Sequence, residues 1–130
     1  GLAVAHASYH KHGEYILRNG DFQGFSQTEQ KLVAVLVRLH RGKFASSVFD
    51  DVPRVWVEPL KRLAILLRLA YLLNRSRTPD MAPKLKLTAG RRQLEVRFPR
   101  RWLDAHPLTR EDLDREAAQL RAAGFKLIYG

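Results

Sequence analysis

Three of the chain's five histidines, His6, His10 and His12, fall within seven residues. Imidazole can ligate a metal, move a proton or hydrogen-bond an anion. On a helix His6 and His10 are four apart and share a face, a spacing that zinc sites use, while His12 points elsewhere. A metal site needs three or four ligands and groups that orient them. The nearest further candidates are His40, Glu14 and Asp21, and there is no HExxH and no adjacent His-Asp pair. Each histidine taken singly is explained by a local hydrogen bond or by solvent. As a group, with Lys11 and Arg18 beside them, they point to an anion-facing surface and to no metal. A second cluster, "VRLHRGK" (37–43), supplies Arg38, His40, Arg41 and Lys43. These cations either satisfy the negative end of a helix dipole or face the same groove as His10 and His12. The serines at 8, 26, 46, 47 and 76 lie in no GxSxG, and there is no Walker loop and no GxGxxG. No catalytic residue is assigned.

Two further stretches carry unusual chemistry. Arg68 sits inside "LLRLAYLL", where a buried cation needs a partner. A structural ion pair to Glu14, Glu29 or Asp51 is the expectation, with bidentate phosphate binding as the alternative. "AGRRQLEVRFPRRW" (89–102) holds five arginines and two aromatics. Basic and aromatic residues interleaved on a sheet suit RNA, but no ribonucleoprotein consensus is present, and Phe98 and Trp102 are expected in the core. Nucleic-acid binding is the minority reading.

The elements that must position these residues follow from patterning. The chain has 130 residues, 45% of them apolar, which suffices for one compact domain or two small ones. It lacks cysteine, which removes disulfides and thiolate metal sites and fits a reducing cytoplasm. No signal peptide is visible, and "LAILLRLAYLL" is too short to span a bilayer, so a cytoplasmic location without a membrane partner is expected. The first residue is Gly, as in a processed product or an excised fragment. There are 23 basic and 13 acidic side chains, a net +10. Residues 1–82 carry 12 and 7 of them and residues 83–130 carry 11 and 6, so each part is +5. Such a field draws polyanions.

The first part reads as helical. A short helix is expected over 9–19, stopping at Gly20. "DFQGFS" is a loop whose two phenylalanines tuck into the core. Ser26 and Glu29 form a capping box for a helix running to Gly42, with its apolar residues at 32, 33, 36, 37 and 39. Residues 43–56 read as irregular. Pro59 suits the first turn of a long helix reaching about residue 75, apolar nearly all round and therefore buried. "RTPDMAP" (77–83) is a linker. Strands follow at 84–88 and 93–98, joined by "AGRR". A helix over 108–124 is capped by Thr109 and ended by Gly124, and "FKLIY" is a last strand. The fold class is mainly α, with a small α+β module built as a β-β-α-β open sheet.

The run from His6 to Leu17, then "GFSQTEQ" (24–30), then "VRLHR" (37–41) resembles the C-terminal region of the exopolyphosphatase and guanosine pentaphosphate phosphohydrolase family. "LAILLRLAYLLNRSR" resembles that family's next helix, and "LEVRFPRRWLDAHPLTREDLDRE" its C-terminal module. The likeness covers nearly all the chain and keeps the motif order. It implies an HD-like helical domain over 1–78, incomplete at its N-terminus, and a small α+β domain over 83–130. It implies a parent hydrolase that removes terminal phosphate from polyphosphate or guanosine pentaphosphate. That parent would use Mg2+ held by N-terminal actin-like ATPase-fold domains, which precede this region in the same chain. The usual His-Asp or His-Glu pair would lie before Gly1, and Asn74 stands where many relatives have Asp. Both departures speak against a residual HD-type metal-dependent phosphohydrolase, the second functional reading. The region is thus expected to be non-catalytic, without a cofactor of its own, to bind inorganic polyphosphate and to build a homodimer. The polyphosphate-binding residues would be His6, His10, Lys11, His12, Arg38, His40, Arg41 and Lys43.

Overall fold

The computed structural model describes residues 9–75 and 84–130, with the side chains of Tyr9 and His10 not described. The chain divides into two compact units, residues 1–69 and 70–130. The helices outweigh a single three-stranded sheet, so the expected mix of a mainly helical part and a small α+β module is what is found.

The helical unit opens with α1 (Tyr9–Asn19) and α2 (Gln27–Leu39). α1 ends where expected, with the Gly20 amide bonded to the Ile16 carbonyl. The capping box at the start of α2 is formed: the Glu29 amide donates to Ser26 Oγ at 3.0 Å, and the Ser26 amide donates to the Glu29 carboxylate at 2.8 Å. These two bonds satisfy donors that the first turn of a helix otherwise leaves to water. α1 and α2 form an antiparallel hairpin whose crossing is set by Gly13. A Cβ there would stand 2.7 Å from Val37 Cγ1, so any larger residue would have to displace the Val37 side chain.

Residues 43–56 are less irregular than their composition suggests. A 3-10 turn covers Ser46–Phe49, and the long helix α3 (Arg54–Arg75) starts five residues before Pro59. The proline therefore sits inside α3 instead of its first turn. Its missing N–H leaves the Val55 carbonyl without an intrahelical donor, and Val55 is exposed to water there. The expectation that α3 is buried all round is also corrected. Leu60, Ala64, Ile65 and Leu69 are buried, but Leu63, Leu66 and Leu67 are each more than 40% exposed. The hairpin and the loop after it supply one apolar surface, so one side of the helix is covered. The core comprises Ala34, Val35 and Leu39 of α2, Phe44, Phe49 and Val52 of the loop, and the buried side of α3. Of the two loop phenylalanines expected inside, Phe22 is half-buried against Gly20, whereas Phe25 is 57% exposed.

The second unit holds β1 (Lys86–Gly90), β2 (Gln93–Arg97), α4 (Pro107–Ala122) and β3 (Lys126–Tyr129). The sheet order is β1-β2-β3, antiparallel then parallel, which is the β-β-α-β arrangement read from the pattern. β1 continues to Gly90, so the hairpin turn is only Arg91-Arg92, with Arg92 at φ +53°. Leu94, Val96 and Leu127 of the sheet and Leu113, Ala117 and Leu120 of α4 are buried. Thr109 is not the cap. Pro107 occupies the first turn, His106 precedes it without a side-chain cap bond, and Thr109 is 2% exposed within the helix. A proline with φ preset for the first turn puts the cap three residues earlier, at His106. Gly124, at φ +80°, ends α4 as expected. The Phe125 amide reaches the Leu120 carbonyl and the Gly124 amide reaches that of Arg121, the bond pair of a Schellman cap.

Candidate anion-binding surface

The hairpin brings the two basic clusters together. Gln30, near the start of α2, donates from Nε2 to the carbonyls of Leu17 (3.2 Å) and Gly20 (2.8 Å) at the end of α1. Val37, near the end of α2, meets Gly13 near the start of α1. Residues 10–13 and 37–43 therefore share one end of the hairpin. His6 lies outside the described residues. His10 lies in α1, but its side chain is outside what is described. Lys11 and His12 are exposed, as is Lys43. His40 and Arg41 are half-buried. The His40 ring donates from Nδ1 to the Val37 carbonyl at 2.6 Å, which fixes the tautomer and leaves Nε2 as the ring's other polar atom.

Arg38 and Arg18 are committed to an ion-pair network. Arg18 binds Glu14 at 3.0 Å and Asp51 at 2.9 Å, Arg38 lies 3.5 Å from Glu14, and Lys31 lies 3.7 Å from Asp51. This network ties α1 and α2 to the loop before α3. Desolvation pushes the Asp51 carboxyl up, but the Arg18 hydrogen bond and charge, with the charge of Lys31, outweigh it and hold the group below its ordinary value. Arg38 thus belongs to the support of the surface as well as to its charge.

Arg68 has backbone partners that the sequence did not point to. It is 3% exposed, and its guanidinium donates from Nη1 to the Leu39 carbonyl at 2.8 Å and from Nη2 to the Gly42 carbonyl at 2.6 Å. It also lies over the Phe44 ring, 5.6 Å from its centroid. It therefore seals the C-terminus of α2, where the last carbonyls have no helical donor, and it bonds neither to Glu14 nor to Asp51. An arginine in an apolar run signals a buried partner; a carbonyl pair leaves no mark in the sequence. Gln30 does the same at the end of α1, and nothing local to it announces that.

Several acids of the described residues are already paired with cations. No group of three or more His, Asp or Glu is gathered among them. Glu14 and Asp51 are held by arginines, and Asp112 receives Arg75 at 3.1 Å and Arg115. Carboxylates neutralised in this way do not fit a divalent ion.

In the second unit the basic residues are dispersed. Arg97 pairs with Glu95 at 3.1 Å, while Arg91, Arg92, Arg100 and Arg101 are exposed in turns. Trp102 cannot serve as a base-stacking platform. Phe98 lies against it at 5.2 Å between ring centroids and His106 at 3.7 Å, all nearly parallel. Stacking on a nucleotide requires an open ring face, and here protein rings stack on Trp102 instead.

A sequence model of a protein family described as "Ppx/GppA phosphatase, domain III" matches residues 1–117. A guanosine-5'-triphosphate,3'-diphosphate pyrophosphatase of Pseudoalteromonas translucida (strain TAC 125) is 34% identical over 98% of the chain. The protein of the same name from Pseudoalteromonas atlantica is 31% identical over 98% of it. The chain covers 26% and 25% of these two proteins, about a quarter of each. No helix among the described residues is long and apolar enough to cross a membrane.

Proposed function

Because the chain belongs to the Ppx/GppA phosphatase family, we propose that it is the polyphosphate-holding region of a phosphoanhydride hydrolase and is not itself catalytic. The parent enzyme removes terminal phosphate from polyphosphate or from guanosine pentaphosphate; the printed name of the two relatives supports the second substrate. The observation that carries this reading is the meeting of two basic segments, 10–13 and 37–43, at one end of the α1–α2 hairpin. Polyphosphate bears charge at every phosphate and no bases. Lysine, arginine and histidine without a base-reading pattern are what it requires. The helical unit is read as an HD-type scaffold that has lost its metal. Magnesium would be held by domains outside this chain; Glu14, Asp51 and Asp112 here are already paired with arginines. A homodimer and a cytoplasmic setting belong to the same proposal.

The test is a titration of the purified chain with long-chain polyphosphate at two salt concentrations, beside duplex DNA of matched charge. Preference for polyphosphate at both salts supports the reading. Equal binding of the two polymers, weakening in parallel with salt, contradicts it, because that is how an unshaped cationic surface behaves. Phosphate release from polyphosphate by the isolated chain with added divalent metal would contradict the non-catalytic assignment.

A further inference from the structure

We propose that Arg68 is a positioning residue for anion binding: its two-pronged bond to the carbonyls of Leu39 and Gly42 holds the intervening His40 and Arg41 in the arrangement that receives a phosphate chain. This rests on the polyphosphate reading and adds a residue that never touches the ligand. The fork spans four residues of chain, from Leu39 to Gly42, at 2.8 and 2.6 Å. Between its two anchor points lie only His40 and Arg41. Gly42 adopts φ +75°, a left-handed conformation, and its carbonyl is one of the two that Arg68 holds. His40 is fixed a second time through its own Nδ1 bond to Val37. Arg68 is 3% exposed on the buried side of α3, one turn after the buried Ile65, and its head packs on Phe44. The segment is thus ordered before a ligand arrives.

A prearranged segment binds more tightly because the ordering cost is met during folding. Only a planar guanidinium presents two parallel donors to two carbonyls; an ammonium reaches them as a point. Arg68→Lys therefore keeps the charge and loses the fork. The expected result is a loss of polyphosphate affinity of roughly tenfold in the folded variant, with faster amide hydrogen exchange at residues 40–43. The reading that distinguishes positioning from mere loosening is a double-mutant cycle. If Arg68 acts through His40 and Arg41, then Arg68→Lys adds nothing once both are Ala. Leu60→Ala, a core truncation in the same helix two turns away, serves as the stability control and is expected to leave the affinity of the folded protein unchanged.

Affinity and exchange in Arg68→Lys equal to those of the unaltered chain would overturn the proposal while the polyphosphate reading stood. Additive effects in the cycle would overturn it as well. Absence of polyphosphate binding by the unaltered chain would overturn the reading beneath it, and the anion role of Arg68 with it.

Discussion

Residues 1–82 and 83–130 carry the same formal excess, 12 basic against 7 acidic and 11 against 6, yet they use it differently. In the helical unit two helix ends meet, and the cations on them are buttressed by Gln30, Arg68 and the Glu14–Arg18–Asp51 network. In the sheet unit the arginines stand on turns or pair locally, and Phe98, Trp102 and His106 stack on one another. Charge composition attracts a polyanion to either half. What separates a site from a charged surface is the set of buried polar bonds behind it.

That contrast can be broken from the sheet side. Leu120→Ala removes a fully buried side chain of α4 and should cost about 2–5 kcal/mol. If the anion surface is the property of the helical unit, polyphosphate affinity of the folded protein stays unchanged while the denaturation midpoint of the variant falls. Breaking it from the helical side takes Gly13→Leu. Any side chain there runs into Val37, and overpacking of this kind costs roughly 1–3 kcal/mol. Denaturation should show that loss, and polyphosphate binding should weaken with it because segments 10–13 and 37–43 are pushed apart. A smaller effect is expected from Ser26→Ala, which removes one half of the capping box, with a cost of about 1 kcal/mol in chemical denaturation and no change in affinity.

The smallest effect distinguishes the two units by pH. Asp51 has its carboxyl held below 3.8 in the folded state. Its contribution is therefore present above the ordinary carboxylate range and is lost as pH falls through the lowered value. Arg18→Gln should flatten that acid limb. Tyr129 goes the other way: burial, with a hydrogen bond from its hydroxyl to Asp114, pushes it up to about 12. The unfolded chain ionises first, so stability is full below 10 and declines as pH rises toward 12. Tyr129→Phe should abolish this alkaline decline. Acid and alkaline titrations of stability thus report on the helical and the sheet unit in turn.

Much of this was legible locally. α1, the capping box and the β-β-α-β order follow from short-range signals: glycine stops, a Ser-x-x-Glu pair and strict alternation. What was not legible depends on distant partners. Pro59 looks like a helix start until Arg54–Glu58 are seen to lie helical before it. Thr109 looks like a cap, but Pro107 sets the boundary. Leu63, Leu66 and Leu67 look like core, yet only one side of α3 is covered. For the proposed site, the sequence offered two basic clusters and a shared groove as an expectation, and the hairpin places segments 10–13 and 37–43 at one end. The sequence did not point to the carbonyl partners of Arg68, because backbone carbonyls carry no residue identity, and it gave no reason to single out Gln30.

The central claim is that one end of the α1–α2 hairpin holds the polyanion and the Arg91-Arg92 turn does not. The direct measurement is polyphosphate affinity at fixed salt for two paired variants, His40→Ala with Arg41→Ala, and Arg91→Ala with Arg92→Ala. A loss of tenfold or more, about 1.4 kcal/mol or beyond, in the first pair and a change of less than about twofold in the second is the expected result, since exposed unsupported cations contribute little. Equal losses in the two pairs, or the larger loss in the second, would contradict it.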